Sequence, residues 1–224
     1  MSKILCLETA TTNCSVALGS DSKVIKLWEE NTPSYSHSEQ LHVFIKQVMT
    51  QSSLSFNDLD AIAVSKGPGS YTGLRIGVSA AKGLCFSLDI PLISVPTLQG
   101  MATQMSVDNQ EVIISLLDAR RMEVYACAFD SKHNPLSETE AKIISEDTFQ
   151  EYYNFHKIHL IGSGSKKCVD LLKDERFNFY PDYIPSAEQM VKLAHQKFIN
   201  NDFEDVAYFE PFYLKDFILQ KKKP

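Results

Sequence analysis

The chain has 224 residues, 44% of them apolar and 22% charged, with 22 Lys and Arg against 28 Asp and Glu for a formal charge of −6. That is apolar material for one large domain or two lobes of about 100 residues, and too ordinary a balance for a fibrous, low-complexity or long disordered protein. Net acidity also argues against a stand-alone RNA binder, because nucleic-acid affinity comes largely from Lys and Arg meeting phosphates, so any RNA contact is expected to be shared with a more basic partner.

Three short apolar segments open the chain, at residues 4–7, 14–18 and 24–28, the last two joined by Gly19-Ser20-Asp21-Ser22. They predict a first strand followed by a β-hairpin. Ser36 with Glu39 three residues on reads as a capping box, and Leu41, Phe44, Ile45, Val48 and Met49 follow at helical spacing. Next come a predicted strand (61–65), a glycine-rich turn, a helix (about 73–88), a strand (92–95) and a short helix after Pro96-Thr97. A dinucleotide-binding unit enters its helix directly after its first strand, whereas this chain spends two more strands first. The order βββαβα favours an α/β, actin-like (ASKHA, sugar-kinase-like) two-lobe fold with a shortened second lobe.

The division is expected at 1–108 and 109–224. Strands at 112–117, 123–129 and 158–161, the turn Gly162-Ser163-Gly164, and helices at 165–172 and 187–199 make up the second lobe, with a less regular stretch around Pro135. The tail sets Lys215, Lys221, Lys222 and Lys223 against Asp216, either as a solvated end or as a phosphate-contacting one. Cys6, Cys14, Cys85, Cys127 and Cys168 form no CxxC pair and read as small core residues in a reducing compartment. With neither a signal peptide nor a run of about 18 apolar residues, the expected location is the cytoplasm, with no membrane association.

The most distinctive segment lies between a strand and a helix: Ser65-Lys66-Gly67-Pro68-Gly69-Ser70-Tyr71-Thr72-Gly73-Leu74-Arg75-Ile76-Gly77. Glycines permit close backbone approach, and a helix start offers unpaired N–H groups to an anion. The segment is neither a Walker A loop nor a GxGxxG, and a tight turn that packs strand on helix is the structural alternative. No metal site is expected. His37 and His42 are five residues apart, about 140° around a helix, and His156 and His159 read as solvated loop histidines without a third ligand. Ser70, Ser79, His37 and Asp118 supply hydrolase residue types without any spacing that unites them. Asp118-Ala119-Arg120-Arg121 is a polar turn with its own ion pair or, functionally, a loop lining a cleft or meeting a partner.

The run GPGSYTGLRIGVSAAKGL closely resembles the signature of the TsaB (YeaZ) family, and ILCLETATTNCSVAL, SHSEQL, DARRMEVY and PFYLKDF resemble further segments of that family in order. The resemblance implies a non-catalytic paralogue of TsaD that keeps the actin-like fold. Such a subunit pairs with TsaD and activates it in threonylcarbamoyl transfer to the adenosine beside the anticodon of tRNA. TsaE, an ATPase, joins in a larger complex, TsaC makes the donor, the chain alone is expected to be a homodimer, and tRNA is met only through the complex. Glu8-Thr9 then reads as a degenerate nucleotide cleft, since the first hairpin has no glycine between Glu8 and Asn13. No cofactor is expected. The alternative is an actin-like-fold ATPase or small-molecule kinase, with Glu8 near a cation.

On a helical wheel at about 100° per residue, Leu74, Val78, Ala81, Cys85 and Leu88 form a core stripe. Arg75 and Lys82 are expected toward solvent. Ile76, Ala80, Gly83 and Ser87 make a small-sided face that another helix can approach closely. Because the resemblance implies helix-mediated pairing, this face, with His37 and Leu41 of the preceding helix, is the expected partner interface.

Overall fold

A computed structural model describes residues 1–33 and 36–214; the lysine-bearing tail and the end of PFYLKDF lie outside the described residues. In chain order the elements are β1 (Lys3–Glu8), β2 (Asn13–Ser20), β3 (Lys23–Asn31), α1 (His37–Gln51), β4 (Ala61–Gly67), α2 (Tyr71–Leu88), β5 (Leu92–Pro96) and α3 (Thr97–Ala102). There follow β6 (Glu111–Asp118), β7 (Glu123–Phe129), β8 (Glu140–Ile143), β9 (Lys157–Ile161), β10 (Phe177–Tyr180) and α4 (Ala187–Ile199).

Two five-stranded sheets form, ordered β3-β2-β1-β4-β5 and β10-β9-β6-β7-β8. In each, the first three strands in sequence run antiparallel, the fourth pairs in parallel with the first, and the fifth pairs in parallel with the fourth. The second sheet therefore repeats the first strand for strand, although the letters show no repeat. That duplication is the actin-like two-lobe α/β architecture.

Apolar periodicity explains the packing. Leu5, Leu7, Val16 and Leu18 face α1 and α2, meeting Leu41, Phe44, Ile45 and Val48 from one helix and Val78, Ala81 and Cys85 from the other. The opposite face of the same sheet, with Ile4, Cys6, Ala17, Ala63 and Ile93, is covered by Ala187, Met190, Val191 and Ala194 of α4. The sequence division had placed α4 with the second lobe; it packs on the first sheet instead. Helix α3, which follows the first sheet, covers the second through Leu98, Met101 and Ala102 against Ile113, Leu117 and Phe129. The two lobes thus exchange one helix each.

Other expectations need correcting. A helix over 165–172 is replaced by a 3-10 turn, Ser163–Lys167, which continues in i→i+3 bonds (Cys168 N to Ser165 O, 3.0 Å; Leu171 N to Cys168 O, 3.1 Å). Strands β8 and β10 went unseen because each is a four-residue edge strand. Gly19 is not in the hairpin turn but in β2, where a Cβ would overlap Val191 of α4. The Ser36 hydroxyl makes no cap bond, so the capping box does not form. His159 is no solvated loop residue: it is buried in β9 with Nε2 3.2 Å from Glu111 Oε2. All five cysteines are buried and free.

Candidate functional site

The first hairpin, the glycine-rich turn and the start of α2 converge at the end of β1 that carries Glu8. Because β1 lies beside β4 in parallel register, its last residue meets the last residues of β4. Glu8 is 2% exposed, and its Oε1 accepts from the Ala10 N–H at 2.6 Å and from Ser65 Oγ at 2.7 Å. Burial raises its pKa to about 7, although these bonds favour the carboxylate. Thr9 is fully buried beside it, and its Oγ1 has no hydrogen-bond partner among the described residues.

The glycines are taken up by this hairpin. A Cβ on Gly69 would collide with the Ala10 carbonyl, one on Gly73 with the Thr9 carbonyl, and one on Gly77 with Thr9 Oγ1. The Ser70 N–H donates to the Ala10 carbonyl at 2.7 Å, and the Ser70 side chain caps α2 by accepting from the Gly73 N–H at 3.2 Å. Gly67 has φ +107°, a left-handed conformation that disfavours any side chain, and its N–H donates to Thr97 Oγ1 at 3.2 Å. From the far side the Phe212 N–H donates to the Lys66 carbonyl at 2.7 Å, and the Phe212 carbonyl lies 2.9 Å from where a Gly67 Cβ would stand. The turn is filled by the chain's own backbone on both sides.

Segment 203–213 reaches this place by wrapping the edge of the first sheet. The Glu204 N–H donates to the Leu92 carbonyl at 2.9 Å, and Ser94 Oγ donates to Glu204 Oε1. Lys82 Nζ donates to the carbonyls of Ala207 at 2.9 Å and Phe209 at 3.1 Å. Lys82, expected in solvent, is therefore a clamp on this strap. The Tyr213 ring lies 4.9 Å from the Tyr71 ring at a tilt of 39°, and the Arg75 guanidinium carbon sits over the Tyr71 ring, 4.6 Å from its centre.

The expected interface residues divide. Leu41 is fully buried in the first core. His37 is also buried; its Nε2 donates to the Thr11 carbonyl at 2.7 Å, and burial lowers its pKa although that bond raises it. Both residues brace the hairpin and the core, so neither is available to a partner. Ile76 and Ala80 are half-buried against the same core, whereas Gly83 and Ser87 are exposed, and a Cβ on Gly83 would meet nothing within 4 Å. Thr72 at the start of α2 is exposed as well. Among the described residues no group of three or more His, Cys, Asp or Glu is placed to hold a metal ion, and no helix is long and apolar enough to cross a membrane.

A family model described as TsaD, tRNA N6-adenosine threonylcarbamoyltransferase, matches residues 31–209. TsaB of Escherichia coli K12, described as a tRNA threonylcarbamoyladenosine biosynthesis protein, is 31% identical over 99% of this chain and 98% of its own length. The chain belongs to the TsaB (YeaZ) family. The TsaB protein of Haemophilus influenzae is 27% identical over 99% of this chain and 97% of its own. A threonylcarbamoyltransferase of Bacillus thuringiensis is 37% identical, but over only 38% of this chain and 25% of its own. The solved structure of YeaZ from Pseudomonas aeruginosa shares the fold, with a TM-score of 0.81 at 23% identity over 96% of this chain and all of that one.

Sequence reasoning missed one residue of this face. Phe86 is 85% exposed on α2, one turn beyond Lys82 and beside Gly83 and Ser87. Its signal was on the wheel: a phenylalanine on the arc assigned to solvent.

Proposed function

We propose that this chain is a non-catalytic subunit in threonylcarbamoyladenosine synthesis on tRNA, binding and activating the threonylcarbamoyltransferase TsaD. One observation carries the reading: the glycine turn at the head of α2 is packed with the backbone of Thr9, Ala10 and Phe212. In this fold a turn of that kind is where an anion would meet the helix N-terminus. Here its glycines admit protein backbone, and Glu8 is tied to Ser65 and Ala10 within the same packing. A site built this way braces α2 instead of turning over a phosphate.

What α2 then offers is a surface. Gly83, Phe86 and Ser87, flanked by half-buried Ile76 and Ala80, form the partner face, with the backbone at Gly83 open to close approach by another helix. The same face serves TsaD in the complex and a second copy when the chain is alone. TsaE joins the larger assembly, tRNA is met through the complex, and the setting is the cytoplasm.

Reconstitution of the modification with and without this chain tests the reading. Product is expected only when chain and transferase are both present, and Phe86→Asp should weaken their association by about thirtyfold, the size expected for loss of an aromatic hot spot. Nucleotide turnover by the isolated chain that disappears in Glu8→Ala would establish the kinase or ATPase alternative in its place.

A further inference from the structure

The loop between β6 and β7 was read from the sequence as a polar turn with its own ion pair. The ion pair forms, but not with the arginines. Asp118 Oδ1 accepts from Lys167 Nζ at 2.6 Å and from the backbone N–H of Arg120 at 2.6 Å, while the Asp118 N–H donates to Ser163 Oγ at 3.2 Å. Lys167 also donates to the Glu123 carbonyl at 3.0 Å. These bonds tie the hairpin to the turn Ser163–Lys167 and leave Arg120, Arg121 and Lys166 exposed at its outer side. None of the ion pairs among the described residues involves those three cations.

The backbone makes the choice of residue informative. Ala119 N–H donates to the Glu123 carbonyl at 3.0 Å, leaving residues 120–122 as the loop, and Arg120 and Arg121 both take left-handed conformations, φ 71° and 51°. Turn chemistry favours glycine or asparagine at such positions, because a Cβ there crowds the backbone. Two consecutive arginines are therefore not explained by the turn they make. What they add is two planar guanidinium forks on an exposed loop tip, the donor geometry that matches phosphate oxygens. The two loops carry four cations, Arg120, Arg121, Lys166 and Lys167, against the carboxylates of Asp118 and Glu123, in a chain whose formal charge is −6.

We propose that the tip formed by Arg120 and Arg121, with Lys166 beside it, is a contact for the phosphodiester backbone of RNA. The inference rests on the reading of this chain as a subunit that acts on tRNA. A tip of three loop residues suits a phosphate backbone better than a protein surface, which needs about 800 Å² on each partner for a stable interface. Phosphate contacts position an RNA without reading its sequence, so this tip supplies placement and the specificity lies elsewhere in the complex.

The test uses the assembled complex of this chain with the transferase, and binding of unmodified tRNA followed by fluorescence anisotropy over a salt series. The variant Arg120→Asn with Arg121→Gly removes both cations and gives the turn the residues it favours, so its melt should stay at or above that of the unaltered chain. Its complex is expected to bind tRNA about tenfold more weakly at roughly 0.1 M salt, with the slope of log K against log salt shallower by about 2. Arg120→Lys with Arg121→Lys keeps the charge and should restore the salt slope, with an affinity between those of the Asn-Gly variant and the unaltered chain because the fork is lost. Unchanged affinity and slope in the Asn-Gly variant would overturn the proposal, as would a loss traced to weaker assembly with the transferase, which would mark the tip as a protein contact. Failure of the unaltered chain to assemble at all would remove the subunit reading and this inference with it.

Discussion

Glu8 ends β1 and meets Ser65 of β4; Asp118 ends β6 and meets Ser163, just past β9. The two acids stand at matching places in two sheets of one topology. In the first lobe, helices of 15 and 18 residues cover the sheet, the hairpin is pressed under the glycine turn, and the acid is buried with its pKa raised to about 7. In the second, 3-10 turns at Gln150–Tyr152 and Ser163–Lys167 stand where those helices would be, and the acid is exposed and paired with Lys167. Topology places the carboxylate, and the covering layer decides its chemistry. The first lobe spends its acid on internal bracing, and the second turns its cations outward.

Glu8 offers the strongest way to break this comparison. Its folded pKa, about 7, lies above the ordinary value of 4.5, so the proton it holds stabilises the fold fully below pH 4.5, and that contribution is lost as pH rises through 7. The difference is worth about 3 kcal/mol by pH 8. Glu8→Gln keeps an oxygen to accept from Ala10 and Ser65 and removes the ionisation. Urea unfolding should find the variant gaining up to about 3 kcal/mol on the parent between pH 5 and pH 8. Parallel pH profiles for the two proteins would show that the site is wetter than its packing indicates.

Next in size is Gly73→Ala. Alanine is ordinarily the better helix residue, yet here its Cβ meets the Thr9 carbonyl, which is backbone and cannot swing aside. Overpacking of this kind costs about 2–3 kcal/mol. A chemical melt of the variant checks it, and neutral stability would mean that the hairpin is not pressed on the turn.

The letters carried most of the first lobe because its signals are long: alternating strands, two amphipathic helices, a glycine cluster between strand and helix. They did not carry β8 or β10, four-residue edge strands with little alternation. Nor did they show where α4 packs, since its stripe of Ala187, Met190, Val191 and Ala194 would suit either sheet. The glycine turn was legible as unusual but not as filled, because the atoms that fill it come from Thr9 and Ala10 on one side and Phe212 on the other, remote in sequence. His37 and Leu41 were assigned to a partner face because the family resemblance implies helix-mediated pairing, and a resemblance cannot tell a side chain turned toward the chain's own hairpin or core from one turned toward a neighbour.

In the second lobe the matching acid should matter less. Asp118 is about half exposed, and its bridge to Lys167 spans 2.6 Å at the surface. Asp118→Ala removes that bridge and the bond to the Arg120 N–H, for a cost of about 1 kcal/mol, since exposed pairs contribute little. A loss as large as that from Gly73→Ala would mean that the Ser163–Lys167 turn depends on this carboxylate, and the contrast between the lobes would narrow.

Gly83→Ala carries the smallest effect and the clearest sign. Gly83 lies well inside α2, is exposed, and has open space where a Cβ would go, so nothing within the chain requires glycine. Glycine in an exposed helix interior costs about 0.5–1 kcal/mol relative to alanine, because it surrenders more backbone freedom on folding. The isolated variant should therefore melt higher by that amount, the opposite sign to Gly73→Ala in the same helix. If the α2 face is the partner surface, the added methyl also holds an approaching helix away from the backbone, and association measured by sedimentation should weaken while the melt improves. A higher melt with unchanged association would move the partner surface off Gly83, and a lower melt would mean that the space beside this glycine is not open.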